Sequence, residues 1–240
     1  MIFYTIFLCL LSFYSTATHQ ESLFEHGNQL LKEGYYQQAR DVYDQITDQG
    51  AGLLYNYSVS YLHEKKYAFA LLYLYKAKKQ ATFFQLFRLI DLENYISEQM
   101  HSDFKLSFYE QFVIFFQISV LSIPLLLLEF LLFLLCIMIL LLVYRSATVS
   151  LSMKNLMRYS LLFFLIMVLF IYRYYEIKKN IGIIIKDPVS VYGGPGNLFY
   201  SPLTLHSGDI VTVFEKYEHY YKIKQKKSNG WVHESDIQLV

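Results

Sequence analysis

The sequence predicts a multidomain membrane protein: α-helical repeats, then a two-helix transmembrane hairpin, then a small all-β barrel. Three observations predict it. Residues 20–101 contain a segment that repeats itself 31 residues on. Two long apolar stretches cover residues 118–144 and 155–175. Residues 181–240 switch to a two-residue alternation of apolar and polar side chains.

Composition narrows the function classes. The chain has 240 residues, of which 55% are hydrophobic, more than a soluble domain usually carries. Its net charge of +1 gives no global field toward nucleic acid, so no nucleic-acid partner is expected. The local clusters Lys76, Lys78, Lys79 and Lys222, Lys224, Lys226, Lys227 read as solvated faces. The two cysteines, Cys9 and Cys136, both lie in apolar segments. Neither polar module can therefore hold a disulfide framework, a cysteine-based metal site or a thiol nucleophile. No nucleophile elbow, phosphate loop or metal signature occurs. The seven histidines are scattered, and His63-Glu64 lacks the second histidine of a zinc protease. No catalytic residue, metal ligand or cofactor is expected, and the chain reads as a non-enzyme.

Residues 1–17 are apolar and end on the small residues Ser15, Thr16 and Ala17, the pattern of a secretory signal peptide, either cut near Ala17 or Thr18 or kept as an N-terminal anchor. Between residues 118 and 143 there are 20 Leu, Ile, Phe or Val. Their summed insertion energy of roughly −10 kcal/mol outweighs the approximately +3 kcal/mol of a charged Glu129. That stretch would reach ~39 Å, more than one bilayer core of ~30 Å. Residues 155–175 would reach ~31 Å if Arg158 and Arg173 extend their charges to the two interfaces. Tyr172, Tyr174 and Tyr175 would then form an aromatic belt in the lipid interface. The connecting loop, residues 145–158, carries Arg145, Lys154 and Arg158, but Arg173, Lys178 and Lys179 balance it. The export signal breaks that tie. It predicts a multi-pass protein of the inner (cytoplasmic) membrane with both polar modules in the periplasm. Glu129 is an intramembrane polar candidate, expected to be protonated or hydrogen-bonded to Ser119, Ser122 or the other helix.

In the first module Gly27, Leu30, Gly34, Tyr36, Ala39, Tyr43 and Ile46 recur as Ser58, Tyr61, Lys65, Tyr67, Ala70, Leu74 and Ala77. Small residues fall where two helices must approach closely, and large ones fill the gaps between. The pattern is similar to the tetratricopeptide repeat, here three residues tighter than the usual 34. Two repeats need a cap, which residues 81–100 would supply through Phe83, Phe84, Phe87, Ile90 and Tyr95. The resemblance implies peptide binding on the face made by the first helix of each pair. Asn28 and Asn56 occupy the positions at which clamp-type members hold a peptide backbone. Phe24 replaces the clamp lysine, and Phe24, Leu31 and Tyr55 would add apolar contact.

In the last module the alternating runs 209–214 and 220–225 read as strands. Asn229-Gly230 reads as a tight turn before Trp231, and Gly193, Gly194, Pro195 and Gly196 as a loop. Five short strands suit a small closed barrel. Val189, Tyr192, the Gly-Pro loop, Leu205 with Gly208, Tyr220-Tyr221 and Gly230-Trp231-Val232 resemble the bacterial SH3 (SH3b) family. Tyr192 stands where that family usually has Arg. Tyr192, Tyr220 and Trp231 make a candidate binding face.

The order of parts resembles the BatE-type proteins of the Bacteroides aerotolerance operon. That resemblance implies an envelope scaffold working with von Willebrand A-domain membrane proteins and a MoxR-type ATPase. The alternative is a cell-wall protein binding peptidoglycan through the SH3b module.

Overall fold

The computed structural model describes residues 19–100, 123, 125–146, 153–196, 199–225 and 228–240. The signal-peptide segment 1–17, Ser119, Ser122 and the middle of the 145–158 loop lie outside the described residues. The chain divides into two compact units. One holds the N-terminal helices together with every strand, and the other holds the two apolar helices.

The first unit begins with α1 (residues 19–33), α2 (Tyr36–Tyr43), α3 (Ala51–His63), α4 (Tyr67–Gln80) and α5 (Phe83–Met100). The 31-residue repeat is visible in its hydrogen bonds. Tyr35 N–H donates to Leu30 O at 2.9 Å, and Lys66 N–H to Tyr61 O at 2.9 Å; the next helix opens with Ala39 N–H to Tyr35 O in one hairpin and Ala70 N–H to Lys66 O in the other. Each turn pivots on a left-handed residue, Gly34 at φ 88° and Lys65 at φ 59°. Lysine accepts that conformation at a cost that glycine escapes. Gly27 sits where a Cβ would come within 2.2 Å of the Tyr43 ring, so α1 and α2 close in because that residue has no side chain. Its counterpart Ser58 is fully buried and donates to Ala70 O at 2.7 Å.

Two helical cores result. Ala39, Tyr43, Ile46, Leu53 and Tyr57 form the first. Leu54, Leu71, Leu72, Leu74, Leu89 and Ile96 belong to the second, which also takes in Ile183 from beyond the apolar helices.

The sheet consists of β1 (Asn180–Ile184), β2 (Val189–Tyr192), β3 (Tyr200–Leu205), β4 (Ile210–Tyr217), β5 (Tyr220–Gln225), β6 (Ser228–His233) and β7 (Ile237–Leu239), with a single 3₁₀ turn at Glu234–Asp236 before the last. All pairs are antiparallel, in the order β3-β2-β6-β5-β4-β1-β7. Inward positions alternate along each strand, so Ile184, Val189, Val191, Leu205, Val211, Ile223 and Val232 share one core.

Here the structure corrects the expected fold class of a multidomain membrane protein with a two-helix transmembrane hairpin and a small closed barrel. Among the described residues there are seven helices and a seven-stranded antiparallel sheet that is open, with β3 and β7 at its edges. The fold is mixed α and β. Five strands become seven because Asn180–Ile184 pairs with β4 on one side and with Ile237–Leu239 on the other. The Asn229-Gly230 turn is also corrected. Both residues lie inside β6, paired with Lys224 and Ile223, and the chain reverses between Gln225 and Ser228. Glycine is needed at 230 for a different reason: a Cβ there would meet Val191 Cγ1 at 2.2 Å.

The second unit holds α6 (Leu125–Ser146) and α7 (Met153–Lys178), packed against each other. Among the described residues, one helix is long and apolar enough to cross a membrane: α7, over Met157–Tyr175, with mean hydropathy 1.5 and none of that window buried. The apolar stretch of α6 covers Leu125–Leu141, about 25 Å, short of a ~30 Å core. The sequence estimate counted residues 118–124 into that span; all of these but Ile123 lie outside the described residues, and α6 is described from Leu125.

The two repeat turns make opposite forecasts. Gly34→Ala is expected to lower stability by about 1 kcal/mol, and Lys65→Gly to raise it by up to about 1 kcal/mol. Thermal unfolding of the detergent-solubilised full chain measures both, and a stabilised Gly34→Ala would contradict the left-handed assignment.

Candidate functional site

On α1, Phe24, Asn28 and Leu31 follow the i, i+4, i+7 spacing that puts them on one face. Tyr55 and Asn56 come from α3. The structure brings the two asparagines into contact: Asn56 Nδ2 donates to Asn28 Oδ1 at 2.6 Å. The same oxygen accepts from the Tyr43 hydroxyl at 2.8 Å. Tyr43 is fully buried on α2, and burial pushes its hydroxyl up to about 12, so it stays a donor at any physiological pH. One oxygen thus ties three helices together and fixes both amide planes. Among the described hydrogen bonds, Asn28 Nδ2 and Asn56 Oδ1 are left without a protein partner, and both residues are half-buried. The pair offers one donor and one acceptor side by side.

The apolar candidates divide. Phe24 and Leu31 lean on the first helical core, with the Phe24 ring 6.3 Å from that of Tyr43. Tyr55 packs against the second core. All three remain half-buried.

Beneath this face runs a line of rings. Tyr43 and Tyr57 are 5.5 Å apart; Tyr57 stacks on Tyr73 at 4.7 Å, Tyr73 on Tyr61 at 5.3 Å, and Tyr61 on Phe69 at 5.3 Å. The Tyr57 hydroxyl donates to Asp44 Oδ1 at 2.5 Å. Burial first, and that carboxylate second, raise the Tyr57 pKa far above the ordinary tyrosine value.

Sequence reasoning missed the ionic lock behind these rings. Arg40 on α2 is 3% exposed. Its Nη2 reaches both oxygens of Glu64, at 2.8 and 2.9 Å, and Gln37 Oε1 at 2.5 Å, while Nη1 donates to Ser60 Oγ at 3.3 Å. The guanidinium lies 4.3 Å above the Tyr61 ring. Lys66 adds a second contact to Glu64 at 2.8 Å. Burial pushes the Glu64 carboxyl upward, but the hydrogen bonds from Lys66 and Arg40 outweigh it and leave the pKa below the ordinary value. The available sequence signal was an arginine at an inward helical position, next to the close-packed Ala39.

The sheet carries the other candidate face. Tyr192 on β2 stands opposite Trp231 on β6, Trp231 opposite Lys222 on β5, and Tyr220 opposite His233. Their strand neighbours Val191, Val232 and Ile223 point into the core, so these side chains point away from it. Tyr192 and Tyr220 meet edge to face at 6.0 Å and 88°, and Tyr220 meets His233 at 5.2 Å and 82°. The Lys222 ammonium lies 5.7 Å from the Trp231 ring. Beside them Glu234 binds Lys216 at 2.9 Å and His219 Nδ1 at 2.6 Å. Those two hydrogen bonds hold the Glu234 carboxyl down to about 2. All three named aromatics are therefore brought together, with His233 as an unforeseen fourth ring.

Glu129 is exposed on α6, and its expected partners Ser119 and Ser122 lie outside the described residues. Among the described residues, no three His, Cys, Asp or Glu side chains are placed to hold a metal ion.

Breaking the lock gives a pH-dependent forecast. Because folding lowers the Glu64 pKa, its contribution is full above the ordinary value of 4.5 and is lost as pH falls through the folded value. Glu64→Gln is expected to cost about 3 kcal/mol at neutral pH by stranding a buried guanidinium. It should also flatten the loss of stability below pH 4.5. Denaturant midpoints at pH 7 and pH 3.5 on both proteins check the two effects.

No protein-family model matches this chain, and no curated protein sequence is similar to it.

Proposed function

We propose that this protein is a non-catalytic scaffold, held at a membrane of the cell envelope, whose α1–α3 face captures an extended peptide of a partner protein. The observation that carries the reading is the oriented Asn28–Asn56 pair. Its free amide N–H groups and free carbonyl match the C=O and N–H of a peptide backbone, and a backbone ligand is recognised through such paired groups. The cost of fixing both amides is met before binding, through Tyr43. Phe24, Leu31 and Tyr55 border the pair with half-buried apolar surface, which suits an apolar side chain on the ligand. Anchorage rests on the apolar window of α7, in which no residue is fully buried, and on Tyr174 and Tyr175, exposed at its end as interfacial aromatics are. The likeness to BatE-type proteins makes von Willebrand A-domain membrane proteins, and the MoxR-type ATPase that accompanies them, the first partners to try.

A second reading is favoured by one observation, the outward cluster of Tyr192, Tyr220, Trp231 and His233 with Lys222 beside it. Such a face stacks on sugar rings or on apolar peptide side chains, and it would serve a cell-wall binding protein.

Two experiments separate the readings. In the first, the detergent-solubilised full chain is probed with arrayed peptides from A-domain proteins. Asn28→Ala together with Asn56→Ala should weaken capture about tenfold or more, the effect of removing hydrogen bonds worth about 1–3 kcal/mol. Unchanged capture refutes the groove. In the second, the same protein is sedimented with purified sacculi. The scaffold reading expects little binding and no effect of Trp231→Ala, and the cell-wall reading expects strong binding that Trp231→Ala abolishes.

A further inference from the structure

Met100 ends α5 and Asn180 opens β1, so both apolar helices lie between these two residues in sequence. In space the two ends of that stretch meet. The N–H of Gly208 donates to Ile184 O on β1 at 2.8 Å. A Cβ on Gly208 would lie 2.3 Å from the Met100 methyl and 3.7 Å from Leu71 Cδ1. Ile183 is fully buried among Leu71, Leu74 and Ile96, residues of α4 and α5. Lys79 on α4 donates to Val240 O at 2.7 Å, and Val240 N–H to Ile181 O at 2.9 Å. The residues before and after the apolar helices therefore fold as one unit.

We propose that the helical module and the sheet stand on the same face of the membrane. The inference rests on the membrane anchorage proposed above. Its physical basis is a mismatch of lengths. The contacts at Ile183, Gly208 and Lys79 are van der Waals and hydrogen-bond contacts, and none can form across ~30 Å of hydrocarbon. The shared face has a functional consequence, because the α1–α3 groove and the aromatic face of the sheet must draw their ligands from one compartment. It also gives β1 a second role as the cap of the helical repeat, covering the α4–α5 end that a two-repeat array would leave open.

The test uses the full chain with Cys9→Ser and Cys136→Ser, carrying a single new cysteine at an exposed position of either module, Glu25→Cys on α1 or Lys224→Cys on β5. Sealed membrane vesicles are treated with a membrane-impermeant maleimide before and after permeabilisation. The expected result is equal behaviour, with both positions labelled before permeabilisation or both labelled only after it. Labelling of one position before and of the other only after overturns the proposal. Carbonate washing of the same vesicles keeps the premise separate: release of the protein sinks the anchorage, and with it this inference, whereas retention with opposite labelling sinks the shared face alone.

Discussion

The structure depends on one strand that serves two cores. Ile183 and Ile184 are neighbours on β1, and strand geometry points them in opposite directions. Ile183 is enclosed by the helices and Ile184 by the sheet, and both are fully buried. A strand buried on both faces reads as a continuous apolar run, which describes the Ile183, Ile184 and Ile185 of this chain. Gly182 completes the arrangement, since a Cβ there would meet Ile237 Cδ1 at 2.4 Å and push β7 off the strand. Without β1, the helical repeat loses its cap and the sheet loses the link between β4 and β7. The helices and the sheet are consequently parts of a single unit, interrupted in sequence by the apolar pair.

Polar groups do a different job in the same unit. Apolar packing among α1, α2 and α3 is non-directional, since burial rewards area removed from water rather than a particular pairing of atoms. The Arg40–Glu64 lock and the Asn28–Asn56–Tyr43 triad do require particular pairings. Each has directional partners from different helices, and each leaves buried groups unpaired if one helix shifts. The first sets the register of α2 against the end of α3. The second sets α1 against α2 and α3, and so presents the two free amide groups as a pair. The proposed peptide site is thus a by-product of how the hairpins are held in register.

Several parts of this are legible in the sequence. The 31-residue spacing of Gly27, Ala39 and Tyr43 against Ser58, Ala70 and Leu74 marked two helical hairpins, since contacts inside a hairpin are local and leave a periodic trace. Alternation marked β4 and β5 for the same reason. The failures have physical causes as well. Asn229-Gly230 carries the composition of a tight turn, yet its glycine is required by Val191 across the sheet, and close approach and positive φ demand the same residue. Hydropathy sums over residues and does not mark where a helix begins, and α6 is described from Leu125. A closed five-stranded barrel was expected because β1 and β7 are short and their pairing is with distant partners.

By itself the sequence determined the two helical hairpins, the alternating strands β4 and β5 and the apolar stretches, because these follow from side chains within a few residues of one another. It also placed Asn28 and Asn56 at matching positions and named Tyr192, Tyr220 and Trp231 as one candidate face. The tertiary structure alone decided that the asparagines touch, that Arg40 is buried against Glu64, that the sheet stays open, and that Ile183 enters a core built some hundred residues earlier. Those outcomes depend on which surfaces meet. Meeting is settled by shape and by the satisfaction of buried polar groups over the whole unit, and no local pattern records either.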